Sequence, residues 1–321
     1  MKTSAGVSDK LKHIGHGKLG FMALQEPIQV VINAKAGASD KDEVVSRMAE
    51  LYPRDDRRCR ISVAKNGSDV VEITTRAVKD NYQTIIAGGG DGTISSVAGV
   101  LAGTGRILGV LPLGTLNHFA KDLQIPLDIE GALNTIVASN IMQVDVGEVN
   151  GRFFLNNSSL GLYPRIVRER EKQQRLGWGK WPAFVWAGVS VLRRYPLLDV
   201  RLSLDGAEFT HRTPFVFIGN NEYEMESFNI GARACLDRGE LSLYITNRTG
   251  RLGLMRLALR ALFGGLRKEK DFTAMCTKEV WIKTRHRRLR VAFDGETTVM
   301  EPPLHYRVRP GALRVIAPPC P

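Results

Sequence analysis

The chain has 321 residues, 43% hydrophobic and 24% charged, with a formal net charge of +12. This composition excludes a disordered or fibrous chain, and the length allows one large domain or two ordinary ones. Residues 1–145 hold 16 Lys and Arg against 16 Asp and Glu, while residues 146–321 hold 29 against 17, so the whole excess falls in the second half. Such asymmetry points to an anionic partner there, membrane or nucleic acid. Residues 1–25 are basic and glycine-containing without an apolar run of signal-peptide length, and read as a flexible leader. IQVVIN (28–33) is a β-branched run that ends in the turn AKAGAS, and a helical pattern follows through Leu51. RISVAK (60–65) reads as a strand, Ser68 as the N-cap of a helix to about Lys79, and YQTIIAG (82–88) as a third strand. A helix from Thr93 to Leu101, a strand RILGVLPLG (106–114), a helix in TLNHFAKDL and one capped by Asp128 complete the alternation.

Strand–helix alternation at this spacing implies a doubly wound, mostly parallel sheet with helices on both faces, here over residues 26–144. After Met142 the texture changes. VDVGEVNGRFFLNNSSLGL reads as two strands around an Asn150–Gly151 turn, and DVRLSLDG, TPFVFIGN, ELSLYIT, EVWIKT, RLRVAFDGE and HYRVRP follow as further strands. Residues 145–321 therefore read as an antiparallel β-sandwich domain with helical insertions at about 164–195 and 251–270, its final strand free to return to the first domain. Cys59, Cys235, Cys276 and Cys320 are scattered, which argues against a disulfide framework or a zinc site and for reduced thiols in the cytoplasm. The charge-free run Trp181–Leu192 is shorter than the roughly 20 residues needed to cross a bilayer.

Gly88-Gly89-Gly90-Asp91-Gly92-Thr93 lies where a strand gives way to a helix. Glycines let a ligand approach bare backbone, and unpaired N–H groups at a helix start attract phosphate. A carboxylate beside phosphate is favourable only with a divalent cation between them, or if it handles a proton on an attacking hydroxyl. Alone, the run is compatible with a structural turn and a capping Asp. Two more turns change the balance: Leu111-Pro112-Leu113-Gly114-Thr115-Leu116-Asn117, and Asn33-Ala34-Lys35-Ala36-Gly37. In a doubly wound sheet such turns face one crevice at the strands' carboxyl ends.

VINAKAG, GGGDGT, LGVLPLGTLNHFAKDL, VDVGEVNGRFFLNNSSLGL and the late FDGE (293–296), in that order, resemble the diacylglycerol kinase catalytic-domain family, closest to the bacterial lipid kinases and related to sphingosine kinases and more distantly NAD kinases. The likeness covers most of residues 27–320. It implies ATP and Mg²⁺ bound between an α/β domain and a β-sandwich domain. By the same likeness, Gly88, Gly89, Gly90, Gly92 and Thr93 contact ATP phosphates, and Asn33, Gly114, Thr115 and Asn117 complete the nucleotide pocket. Asp91 acts on Mg²⁺ or on the reacting hydroxyl. Asp294 and Glu296 face the site from the β domain as a carboxylate pair, either of them or Asp91 being the base. Asp145 matches a position that supports the site through a charge network, and reads equally as a capping or turn Asp.

The sequence also departs from the family pattern. Ala34 stands where Pro is usual, and His118 where an Asp is usual. In ACLDRGELSLYI (234–245) Asp237 is kept as a candidate metal ligand, but Arg238 replaces a second acid. The implied function is phosphorylation of a membrane-lipid hydroxyl, diacylglycerol first, by a cytoplasmic protein reversibly attached to the inner membrane surface. Trp178, Trp181 and Trp186 beside Lys180, Arg193 and Arg194, and the amphipathic pattern in 251–270, suit an anionic membrane surface, while each segment alone reads equally as an apolar face packed on the β domain with ordinary solvated cations. No nucleic-acid module accompanies the charge, and TRHRRLR (284–290) reads as a solvated face. A homodimer is left open. The alternatives are a soluble-substrate kinase of the NAD-kinase type and a nucleotide- or lipid-binding regulator without turnover. The first expects an Asn-Glu pair soon after the glycine turn, and the only such pair, Asn221-Glu222, lies far downstream.

Overall fold

Parallel strands covered on both faces should be unbroken apolar runs, and two central strands here are. The computed structural model describes residues 27–35, 38–51, 59–161, 197–204, 207–223, 233, 235–246 and 272–319. The leader and both basic stretches, 164–195 and 251–270, lie outside these residues. The chain divides into two units, Met1–Val144 with Ala312–Pro321, and Asp145–Gly311.

In the first unit β1 (Ile28–Asn33), β2 (Cys59–Ala64), β3 (Thr84–Gly89) and β4 (Ile107–Pro112) form a parallel sheet in the order β2-β1-β3-β4. Every residue of β3 and β4 is buried. The end of the last strand, β16 (Leu304–Ile316), adds to β4 in parallel, with Arg314 opposite Ile107. Among the described residues, five helices join the strands: α1 (Ala38–Leu51), α2 (Gly67–Lys79), α3 (Asp91–Leu101), α4 (His118–Asp122) and α5 (Ile129–Ala138). The doubly wound reading therefore holds. Two helix starts differ from expectation. Asn66, not Ser68, caps α2: its carboxamide oxygen accepts from Asp69 N–H at 3.0 Å and also from the Ser68 hydroxyl. Helix α3 begins at Asp91, two residues early, because Gly90 already has the extended backbone of an N-cap. Asp128 caps α5 as expected, accepting from Gly131 N–H at 2.7 Å.

The second unit is antiparallel. One sheet has the order β12-β11-β10-β7-β14-β15, comprising β7 (Asn157–Gly161), β10 (Phe215–Asn220), β11 (Leu241–Thr246), β12 (Phe272–Thr277), β14 (Leu289–Phe293) and β15 (Glu296–Met300). The other array joins residues 304–308 of β16 to β13 (Glu279–Thr284), β8 (Leu198–Leu204) and β9 (Ala207–Thr213). Alternate residues point inward, as a half-buried strand requires. One cluster takes Leu160, Ile218, Leu243 and Val291 from the first sheet and Val200, Leu202, Ile282 and Tyr306 from the second, making a β-sandwich. Burial pushes the Tyr306 phenol well above its ordinary pKa, and its hydroxyl is satisfied by Ser158 Oγ at 3.0 Å.

One expected strand is in fact two. After β5 (Ile141–Val149) and the Asn150–Gly151 turn, β6 (Arg152–Phe154) pairs with β5, and then the chain changes sheets. Leu155 and Asn156 make that step, and β7 pairs with β10 and β14 instead. Strands β9, β12 and β15 were not anticipated.

Candidate active site

Gly88 and Gly89 end β3, Gly90 precedes α3, and Asp91 is its first residue. The first N–H groups of a helix have no intrahelical acceptor. No side chain caps them here, so the start of α3 presents bare main-chain donors and the positive end of an 11-residue helix. Asp91 Oδ1 accepts from Phe119 N–H at 3.3 Å, which aims the carboxylate toward the start of α4.

The three expected turns come together. Asn33 Nδ2 donates to Thr93 Oγ1 at 2.8 Å, tying the end of β1 to the first turn of α3. Asn33 Oδ1 accepts from Lys35 N–H at 3.0 Å and shapes its own turn. A Cβ on Gly114 would lie 2.4 Å from Gly90 Cα, so these two turns meet backbone to backbone and no larger residue fits. Asn117, buried and left-handed at φ 51°, holds the third turn. Its Oδ1 accepts from Gly114 N–H at 3.0 Å, and its Nδ2 donates to Gly114 O at 2.9 Å and Pro112 O at 3.2 Å. That amide is engaged in shaping the turn, which sequence reading had placed in the pocket. Thr115 and His118 are exposed beside it.

The second unit treats its carboxylates differently. Asp294 and Gly295 form the two-residue turn between β14 and β15, both with positive φ (47° and 84°), the I′ geometry that favours Asp-Gly. Asp294 Oδ2 accepts from Leu155 N–H at 2.7 Å, and Oδ1 from Asn156 N–H at 2.8 Å and Asn157 N–H at 3.2 Å. Glu296 follows, exposed, as the first residue of β15. Asp145, 2% exposed, accepts from Gly239 N–H at 2.6 Å and Gly311 N–H at 2.9 Å. It staples two bends through main-chain amides, which is the turn role, the second of its two expected readings, and not the charge network. Asp237 is exposed. Beside it Arg238 reaches Glu222 at 2.9 Å, and the nearby Cys235, then Glu222 and Glu240, hold its guanidinium above its ordinary pKa. Among the described residues, no group of three or more His, Cys, Asp or Glu side chains could hold a metal ion.

The "Diacylglycerol kinase catalytic domain" family profile matches residues 27–149, and the "YegS C-terminal NAD kinase beta sandwich-like domain" profile matches 164–317. The chain carries a diacylglycerol kinase catalytic domain over residues 27–149. It is a lipid kinase by class. Curated proteins named "Diacylglycerol kinase" from Staphylococcus aureus strains RF122 and MRSA252 are each 29% identical over 243 residues, 74% of this chain and 76% of theirs. A crystal structure of a diacylglycerol kinase from Bacillus anthracis strain Sterne aligns with TM-score 0.66 at 21% identity, covering 92% of this chain and 98% of that one. A second crystal structure from that organism gives 0.70 at 23%, covering 92% and 99%. At such identities the structural likeness shows the fold.

Within the diacylglycerol kinase frame, the first profile contains Asn33, the glycine turn, Asp91, Gly114, Thr115 and Asn117, and the second contains Asp237, Asp294 and Glu296. Sequence reading missed the Phe119 amide that orients Asp91, the Leu155–Asn157 segment that binds Asp294, and the buried Arg233. Only the paired asparagines, Asn156-Asn157 and Asn220-Asn221, hinted at buried polar structure.

Proposed function

We propose that this lipid kinase transfers the terminal phosphoryl group of ATP, with Mg²⁺, to the hydroxyl of a membrane lipid, diacylglycerol being the first-choice substrate and phosphatidic acid the product. The observation that carries the reading is the backbone contact of Gly90 with Gly114 at the uncapped start of α3, with Asp91 at the helix's first position. Main-chain amides there suit phosphate oxygens. One carboxylate together with phosphate oxygens is a donor set that fits Mg²⁺, which is commonly held by one or two carboxylates plus substrate phosphates. Asp91 would hold the ion, and Mg²⁺ would neutralise the charge on the transferring group. Asn33 and Asn117 keep the turns in register, and Thr93 and Thr115 add hydroxyl donors.

Of the FDGE carboxylates, Asp294 has both oxygens engaged by main-chain N–H groups, which tie it to the backbone of the turn and of residues 155–157. Glu296 is exposed, and we assign it as the base. The lipid hydroxyl gives its proton to Glu296 while its oxygen bonds to phosphorus, and the bond to the departing ADP oxygen breaks. A base so placed contributes on the order of 10²–10⁴-fold. Asp237 stays a candidate ligand for a structural cation. We infer reversible attachment to anionic lipid from the basic second half, and cytoplasmic residence from the scattered cysteines.

The test is transfer from labelled ATP to a panel of lipids and NAD, presented with and without anionic vesicles. Labelled phosphatidic acid is the expected product. Label in NAD with none in lipid would transfer the assignment to the soluble-substrate alternative, and no label anywhere would favour a regulator.

A further inference from the structure

Arg233 is 5% exposed, which is unusual for a guanidinium. Its Nη1 donates to Leu155 O at 2.7 Å and Asn220 O at 3.1 Å, and its Nη2 donates to Asn156 Oδ1 at 2.8 Å. The guanidinium carbon lies 5.6 Å from the centre of the Tyr223 ring. All of these partners line the step where the chain leaves β6 and enters β7.

On the same segment, Asp294 takes the N–H groups of Leu155, Asn156 and Asn157. Leu155 C=O and Asn156 N–H belong to one peptide group. A cation therefore holds its oxygen while a carboxylate holds its N–H, at 2.7 and 2.8 Å. Each charge strengthens the other's bond, because pulling electrons toward the carbonyl oxygen makes the N–H a better donor. The charge-assisted bonds at both ends are of the stronger kind. Asn220 Nδ2 also donates to Leu155 O at 2.9 Å, which locks the carbonyl further.

Asp294 is in turn the first residue of the turn that presents Glu296. We infer that Arg233 is a positioning residue for Glu296: its charge is relayed to Asp294 through the Leu155–Asn156 peptide, and this fixes the Asp294–Gly295 turn. The catalytic part of this inference rests on the assignment of Glu296 as base. Nothing in the sequence pattern around Arg233 marks it, and no role is attached to it in the proposed reaction.

Two readouts test the relay: steady-state lipid phosphorylation and site-resolved amide exchange of the full chain. Arg233→Lys keeps a positive charge but loses the planar fork that reaches two segments at once. It is expected to lower kcat on the order of 10-fold, leave the KM for ATP within about 2-fold, and speed exchange of Asn156 N–H by at least ~10-fold. The amides of β11 should keep their protection, which separates loss of the relay from general loosening. Asn156→Ala, which removes one of Arg233's acceptors, is the milder variant should the lysine fail to fold. It should show the same pattern at roughly a third of the size. Unchanged exchange at Asn156 in either folded variant would overturn the relay. Faster exchange with unchanged kcat would overturn the positioning role. If Glu296→Gln keeps native turnover, the base assignment falls by itself, and amide exchange alone then decides for or against the relay.

Discussion

The two Asp-Gly pairs, Asp91-Gly92 and Asp294-Gly295, look alike in sequence and are held in opposite ways. Asp91 heads a helix, and one of its oxygens meets a single amide at 3.3 Å. Asp294 sits in a hairpin turn, and its two oxygens meet three amides at 2.7, 2.8 and 3.2 Å. The first is lightly tethered, which leaves it room for a ligand. The second is held through both oxygens and braces the backbone. What separates a chemical carboxylate from a structural one is how many donors already claim it, and the local sequence does not carry that number.

The contrast is sharpest in paired substitutions. Asp91→Ala should cut lipid phosphorylation by on the order of 10³-fold and leave the melting temperature within about 2 °C. Asp294→Asn keeps one acceptor oxygen but loses charge-assisted bonds, at a cost of about 2–3 kcal/mol. For a unit of this size that lowers the melting temperature by about 5–10 °C, and turnover should fall with it. Activity loss without destabilisation at Asp294, or the reverse at Asp91, would break the comparison; calorimetry beside the kinase assay decides.

A smaller effect is expected at Gly114→Ala. The added methyl would strike Gly90 Cα, so the two turns must part. The KM for ATP should rise roughly 10-fold, with melting changed by no more than about 2 °C. A normal KM would show that the contact does not shape the nucleotide pocket.

The smallest effect concerns pH. Trp281 Nε1 donates to Glu279 Oε1 at 2.7 Å, and this bond, followed by the neighbouring His305, holds the Glu279 carboxyl below its ordinary pKa. A lowered folded value stabilises the protein above the unfolded value of about 4.3, and the gain is lost as pH falls through the folded value. Glu279 is half exposed, so solvent screens most of the gain. Glu279→Gln should therefore melt no more than ~1–2 °C below the parent at pH 7, and the gap should narrow as the solution is acidified below the unfolded value. A gap that widens on acidification would reverse the sign.

Much of the first unit was legible because its demands are local. Gly90 and Gly114 announce close backbone approach, and the apolar runs of β3 and β4 announce a sheet buried on both faces. The second unit hid more. Leu155 and Asp294 are 139 residues apart, and Leu155 and Arg233 are 78 apart, so no window of sequence contains either contact. Strand β9, AEFTHRT, carries too few apolar residues to stand out, since among the described residues it pairs only with β8 and is mostly exposed. The Asp294-Gly295 hairpin signal was present, but FDGE was read for its carboxylates and not for its turn. At α2 two good capping residues stood two positions apart, and Asn66 prevailed because its oxygen reaches both Asp69 N–H and the Ser68 hydroxyl.

Strand β16 supplies residues 304–311 to one unit and 312–316 to the other. On the ribosome, β4 therefore gains its Arg314–Val315 neighbour only after the whole of the second unit has been made. Neither unit can be excised by a single cut without robbing the first of a strand, and a nascent chain carries an open sheet edge until Arg314 and Val315 arrive.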